Sequence, residues 1–105
     1  MSMIKEINQK EFDEMDRTKP MLVEFYSKTC GPCKMIAFVL KDIDKTMPDF
    51  PIYQIDFDEN VERKERRGVK GFPTMLFYKD GKEGERMDGL KQKPAIIKVI
   101  EGLQQ

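Results

Sequence analysis

Cys30 and Cys33 are the only cysteines in this 105-residue chain, and Gly31 and Pro32 separate them. Two thiols at that spacing can close a small disulfide ring, and Gly-Pro between them suits a tight turn entering a helix. The apolar run Leu22 to Tyr26 before the pair reads as a strand, and Met35 to Leu40 after it reads as a buried helix. Cys30 then falls at a helix N-terminus, where unpaired N–H groups and the helix dipole favour an anion. The favoured anion is the thiolate, the nucleophile of disulfide exchange. Cys33, inside the first turn and more enclosed, suits the resolving role. In the expected cycle Cys30 attacks a target disulfide. Cys33 attacks the mixed disulfide, which releases reduced target and leaves Cys30–Cys33 oxidised.

Glu24 is the third candidate, because an ionised carboxylate inside an apolar strand is costly. Either its side chain points to a wet edge, or it is a buried acid beneath the cysteines. Burial would raise its pKa toward the working range of a general acid or base.

The elements that must position these groups follow in order. Met3 to Ile7 is a weakly alternating first strand. Asn8 and Glu11 have the spacing of a capping box, with Ile7 and Phe12 placed as a hydrophobic staple. That helix turns Phe12 and Met15 inward and stops before Thr18-Lys19-Pro20. Met21 to Ser27 is expected to be a central strand. A second helix runs from about Cys33 to Thr46 or Met47, with Ile36, Leu40, Ile43 and Met47 as its buried stripe. Ile52 to Phe57 is the next strand. Asp58 to Arg67 is a short polar helical segment, whose Glu62 to Arg67 run and nearby Lys70 read as a solvated face or a docking patch for an acidic partner. Met75 to Tyr78 is a strand, Asp80-Gly81 a hairpin turn, and Glu83 to Met87 a charged edge strand. Pro94 opens a last helix that buries Ile96, Ile97, Ile100 and Leu103. The expected order is βαβαβ then ββα, an α/β fold with a central mixed sheet.

Composition narrows the function. The length suits one domain, 1–105, with a single core. Nineteen basic and nineteen acidic residues cancel, so no global charge points to nucleic acid or an anionic membrane. The absence of histidine removes Cys-His proteases, imidazole proton shuttles and histidine metal sites. Two thiolates without further ligands do not fill a tetrahedral zinc site within one chain. No basic segment leads into an apolar run at Met1 to Glu6, and no apolar stretch is long enough to span a bilayer, so a cytoplasmic location is expected.

Glu24-Phe25-Tyr26, Cys30-Gly31-Pro32-Cys33-Lys34-Met35-Ile36-Ala37 and Gly71-Phe72-Pro73-Thr74 together resemble the thioredoxin family, with similarity from about Ile4 to Leu103. The resemblance implies a central mixed five-stranded sheet flanked by four α-helices. It implies a buried acid at Glu24 that helps move a proton to or from Cys33, although glutamate is one methylene longer than the family's usual aspartate. It implies a cis Phe72–Pro73 bond, where by sequence alone Pro73 could simply start a strand in trans, the usual state of an X–Pro bond. The substrate rim it implies comprises Thr29, Gly31, Pro32, Phe72, Pro73 and Gly89, with the Phe72 backbone free to pair with an extended target segment. No cofactor beyond the Cys30–Cys33 disulfide is expected. The expected partners are disulfide-containing proteins and a thioredoxin-reductase-like electron donor, acting on a monomer.

Three positions depart from the family pattern. Thr29 replaces the usual tryptophan, making the rim smaller and more polar. Phe38 replaces a helix-kinking proline, so a straighter helix is expected. Gln54 replaces a lysine near the acid, which leaves Glu24 less help in ionising. The leading reading is a reductase of protein disulfides. A disulfide oxidase or isomerase, and a binding module with dispensable thiols, are the alternatives.

Overall fold

The computed structural model describes residues 4–59 and 72–104. Its elements are β1 (Ile4–Glu6), α1 (Gln9–Glu14), β2 (Met21–Tyr26), α2 (Gly31–Thr46), β3 (Ile52–Asp56), a 3₁₀ turn (Phe57–Glu59), β4 (Thr74–Lys79), β5 (Lys82–Asp88) and α3 (Lys93–Leu103). The strands form one sheet in the order β1-β3-β2-β4-β5. β3 runs parallel to β1 and β2, β4 is antiparallel to β2, and β5 is antiparallel to β4. This is the expected mixed sheet. Three α-helices, not four, lie among the described residues. Beyond the 3₁₀ turn, the polar helix expected up to Arg67 falls outside them, as do Lys70 and Gly71.

Side-chain alternation sorts the strands onto two faces. Leu22, Ile52, Met75 and Phe77 pack with Ile36, Leu40 and Ile43 of α2 and with Ile96 and Ile100 of α3. Val23, Phe25, Ile55, Leu76 and Tyr78 pack on the other face with Ile7 and with Phe12 of α1. Burying each such aliphatic or aromatic side chain contributes about 1.5–3 kcal/mol. Ile97, expected in the buried stripe of α3, is only half-buried. It sits about 100° around the helix from Ile96, whereas Ile100 and Leu103 stay within about 40° of it.

Local sequence explains the boundaries. Asn8 Oδ1 accepts from the Glu11 amide at 2.8 Å and Glu11 Oε1 accepts from the Asn8 amide at 3.1 Å, completing the capping box. Asp80 and Gly81 both take positive φ, 56° and 81°, as a two-residue hairpin turn requires. Helix α2 starts two residues earlier than expected. Cys30 itself is the N-cap: its Sγ accepts from the Cys33 amide at 3.1 Å, and proline is tolerated in the first turn that follows.

Candidate active site

The site forms where β2 ends and α2 begins. Ser27 anchors the intervening loop, since its carbonyl accepts from the Cys30 amide at 3.2 Å. Its hydroxyl lies 3.2 Å from both Thr29 Oγ1 and Asp58 Oδ2, donating to the latter. Lys28 Nζ reaches the buried Asp56 at 3.3 Å, tying the same loop to the end of β3. Cys30 is thereby held at the N-terminus of α2 and is joined to Cys33 in a disulfide, with the two Cα atoms 5.2 Å apart. Cys33 is 5% exposed, while Cys30 is half-buried and Thr29, Gly31 and Pro32 are exposed. The unequal access of the two sulfurs follows from the helix: Cys33 lies on the inward stripe with Ile36 and Leu40, and Cys30 caps the end.

Glu24 occupies the middle of the central strand, opposite Gln54 on β3 and Met75 on β4. Its parity with Leu22 turns it toward α2, and it is 0% exposed. The wet-edge reading is therefore overturned. Gln54 Nε2 donates to Glu24 Oε1 at 2.9 Å, while Oε2 has no hydrogen-bond partner among the described residues. Burial raises the Glu24 pKa to about 7; the amide of Gln54 pulls against this and the charge of Glu6 adds to it. A buried acid there titrates near neutrality, where either protonation state is accessible.

Glu24 and Cys33 line one cleft of about 300 Å³, together with Glu6, Tyr26 and Gln54. The Tyr26 hydroxyl donates to the Glu6 carboxylate, 2.7 Å from both of its oxygens. Burial pushes the Tyr26 phenol above its ordinary value, and the adjoining Glu6 carboxylate pushes the same way. This pair was missed in the sequence. Glu6 and Tyr26 lie on β1 and β2, which the sheet separates by β3, so only the strand order reveals their meeting. Ser27 was also missed, although a serine three residues before a helix-capping cysteine is a local turn signal.

The remaining rim residues come from the other side of the sheet. The antiparallel register that sets Phe25 opposite Thr74 brings Pro73 to the same end of β2 as the Ser27–Cys30 loop. The Phe72–Pro73 peptide is cis, and the Pro73 carbonyl accepts from the Gly89 amide at 2.7 Å. Gly89 has φ +81°, a conformation that favours glycine. Phe72 packs its ring against Phe57 with centroids 4.4 Å apart. Pro73 and Gly89, both expected at the rim, are thus joined by a hydrogen bond next to Phe72. Thr29 turns back on Ser27, and Gly31 and Pro32 open α2 beside it.

Among the described residues, no helix is long and apolar enough to cross a membrane. Comparison with known proteins places these features in context. The family model described as Thioredoxin matches residues 3–102. A thioredoxin of Chlamydia trachomatis is 36% identical over 98 residues, covering 93% of this chain and 96% of that protein. A thioredoxin of Bacillus subtilis is 43% identical over 81 residues, covering 76% of this chain and 78% of that protein. Among solved structures, the thioredoxin of Malassezia sympodialis superimposes with a TM-score of 0.87 at 24% identity, covering 100% of this chain and 94% of that one. A reduced thioredoxin pre-protein of Schistosoma mansoni gives 0.85 at 22% identity, covering 95% and 97%. At those identities the structural likeness speaks for the fold alone.

Proposed function

Because this chain belongs to the thioredoxin family and is a dithiol–disulfide oxidoreductase, we propose that it works in the reducing direction, with Cys30 as nucleophile, Cys33 as resolving thiol and Glu24 as proton acceptor. The family works through its own disulfide without a bound cofactor, acting on disulfide-containing proteins and drawing electrons from a reductase. The observation that carries the assignment of roles is the unequal placement of the two sulfurs. Cys30 caps α2, and Cys33 is buried and lines the same cleft as Glu24.

In the reduced protein the Cys30 thiolate, favoured by the helix N-terminus and the Cys33 amide, attacks one sulfur of a target disulfide. A Cys30–target bond forms and the second target sulfur leaves as a thiolate. Glu24 takes the proton of Cys33, within the cleft that both line. The Cys33 thiolate then attacks Cys30 Sγ, the Cys30–target bond breaks, and the two target thiolates take one proton back from Glu24 and one from solvent to leave as a dithiol. The target gains two electrons and the protein loses two. The Phe72 backbone pairs with the extended target, and Pro73, Gly89, Thr29, Gly31 and Pro32 shape the rim against which it lies. Acting in this way as a monomer in the cytoplasm, the protein spends reducing equivalents rather than forming disulfides.

The reduction potential of Cys30–Cys33 in glutathione or dithiothreitol buffers tests the direction. A value at or below about −260 mV, under the extracted glutathione poise, supports the reductase. A value near or above about −180 mV makes the protein an oxidant or isomerase instead.

A further inference from the structure

Helix α2 carries an outward row of residues to which the redox chemistry assigns no role, although Lys34 and Lys41 also line the cleft of Glu24 and Cys33. Cys33, Ile36, Leu40 and Ile43 face the core. On the opposite side Lys34, Phe38, Lys41 and Lys45 recur at i, i+4, i+7 and i+11, within about 60° around the axis. Phe38 is 72% exposed and its neighbour Met35 57%. By contrast Phe12, Phe25, Phe50 and Phe77 are all at 2% or less. Lys41 Nζ stands 5.9 Å from the centroid of the Phe38 ring. Asp42, the nearest acid on the helix, is taken up by Lys93 of α3 at 2.8 Å. Among the described residues no carboxylate comes within ion-pair distance of Lys34, Lys41 or Lys45, although Lys45 adds its charge to that of Lys93 in holding Asp42 ionised.

Helix stability does not account for this row. A cation in the first turn, as at Lys34, opposes the helix dipole, and like charges four apart, as at Lys41 and Lys45, repel. Only Lys45, in the last turn, is placed where a cation suits the helix end. An exposed aromatic and methionine ringed by charge is instead the composition of a protein interface, with an apolar centre and a polar rim. The target bonds to Cys30, and Phe38 lies eight residues, about 12 Å, further along the helix, a distance that about four residues of extended chain would span.

We infer that this face of α2 selects acidic disulfide-bearing proteins: Phe38 and Met35 receive an apolar side chain near the target cysteine, and Lys34, Lys41 and Lys45 receive carboxylates around it. The inference rests on the oxidoreductase reading of Cys30–Cys33 and adds a preference among its substrates. Steering by the three cations raises the encounter rate of acidic targets and falls with salt.

The test uses two synthetic cystine peptides with the same ring, flanked by a leucine and either glutamates or lysines. Rates of reduction by the reduced protein are divided by its rate with bis(2-hydroxyethyl) disulfide, which cancels changes in thiolate reactivity. The acidic peptide is expected to react about tenfold faster than the basic one near 20 mM salt, with most of that preference gone at about 0.5 M. Lys41→Glu/Lys45→Glu should bring the ratio to about one or below. Phe38→Ser should slow the acidic peptide about threefold when it carries leucine and not when serine replaces that leucine. A ratio near one for the unaltered protein, or a preference indifferent to salt, overturns the inference and leaves the row a solvated helix face. Failure to reduce even the small disulfide sinks the oxidoreductase reading, and this inference with it.

Discussion

The two faces of the sheet are built from the same strands and end differently. On the α1 face, Phe12, Val23, Phe25, Ile55, Leu76 and Tyr78 close into an unbroken apolar layer. On the α2 face, Leu22, Ile52 and Phe77 begin a similar layer, but one register further along stand Glu6, Gln54 and Glu24, side by side on β1, β3 and β2. A polar row across three strands interrupts the packing and opens a cleft under Cys33. The contrast separates two jobs. One face supplies cohesion, and the other gives up some cohesion to bury an acid in the cleft that Cys33 also lines.

Cutting into the closed face should therefore cost stability and leave the chemistry alone. Phe12→Ala removes a fully buried ring and should destabilise the oxidised protein by about 3–5 kcal/mol in urea unfolding. The Cys30–Cys33 potential of the folded variant should stay put; movement beyond about 30 mV would show that the α1 face tunes the site after all.

Removing the acid from the open face should do the reverse. Burial holds the Glu24 pKa at about 7 in the folded chain, against 4.5 for an ordinary solvated glutamate. The folded chain then binds this proton more tightly than the unfolded chain does. Stability is undiminished below about pH 4.5, falls as pH rises through the interval, and is lowest above pH 7. The full penalty is of order 3 kcal/mol. Glu24→Gln should thus be more stable than the parent by up to about 3 kcal/mol at pH 8 and no more stable at pH 4, while its Cys33 attack slows. An advantage that is equal at both pH values would mean that packing, not the proton, separates the two chains. Placing a cation beside the acid is the milder change: Gln54→Lys should lower the Glu24 pKa by about 1 unit and narrow the pH window over which stability is lost.

Much of this contrast was legible in the sequence because it is local. The capping box at Asn8 and Glu11, the Asp80-Gly81 hairpin and the strand-to-helix placement of Cys30 each depend on residues within four positions. Period-two alternation sets Glu24 on the opposite side of its strand from Val23 and Phe25. It could not say whether that side was wet, because burial depends on β2 lying between β3 and β4. The Lys28–Asp56, Ser27–Asp58 and Glu6–Tyr26 pairs were illegible for the same reason. Each joins segments 20 or more residues apart that are brought together only by the strand order. The start of α2 lies two residues before the expected one because a cysteine side chain caps it, where Ser, Thr, Asp or Asn is the usual signal.

The smallest predicted effect bears on the least legible pair. Glu6 contributes its charge to the raised pKa of Glu24 from two strands away, about 10 Å across the sheet. At the cleft mouth that charge is partly screened, so Glu6→Gln should lower the Glu24 pKa by about half a unit. The Tyr26 hydroxyl holds the carboxylate in place, 2.7 Å from both of its oxygens. If that restraint is what keeps the charge facing Glu24, Tyr26→Phe should lower the same pKa in the same direction by freeing Glu6 to turn into solvent. The double variant should then shift no further than Glu6→Gln alone, since Tyr26 would act only through Glu6. Carboxyl carbon NMR titration of Glu24 in the oxidised protein reads all three. Additive shifts would instead make Tyr26 an independent influence on the acid, through its own burial of the cleft, and the polar row would be a set of neighbours rather than a linked device.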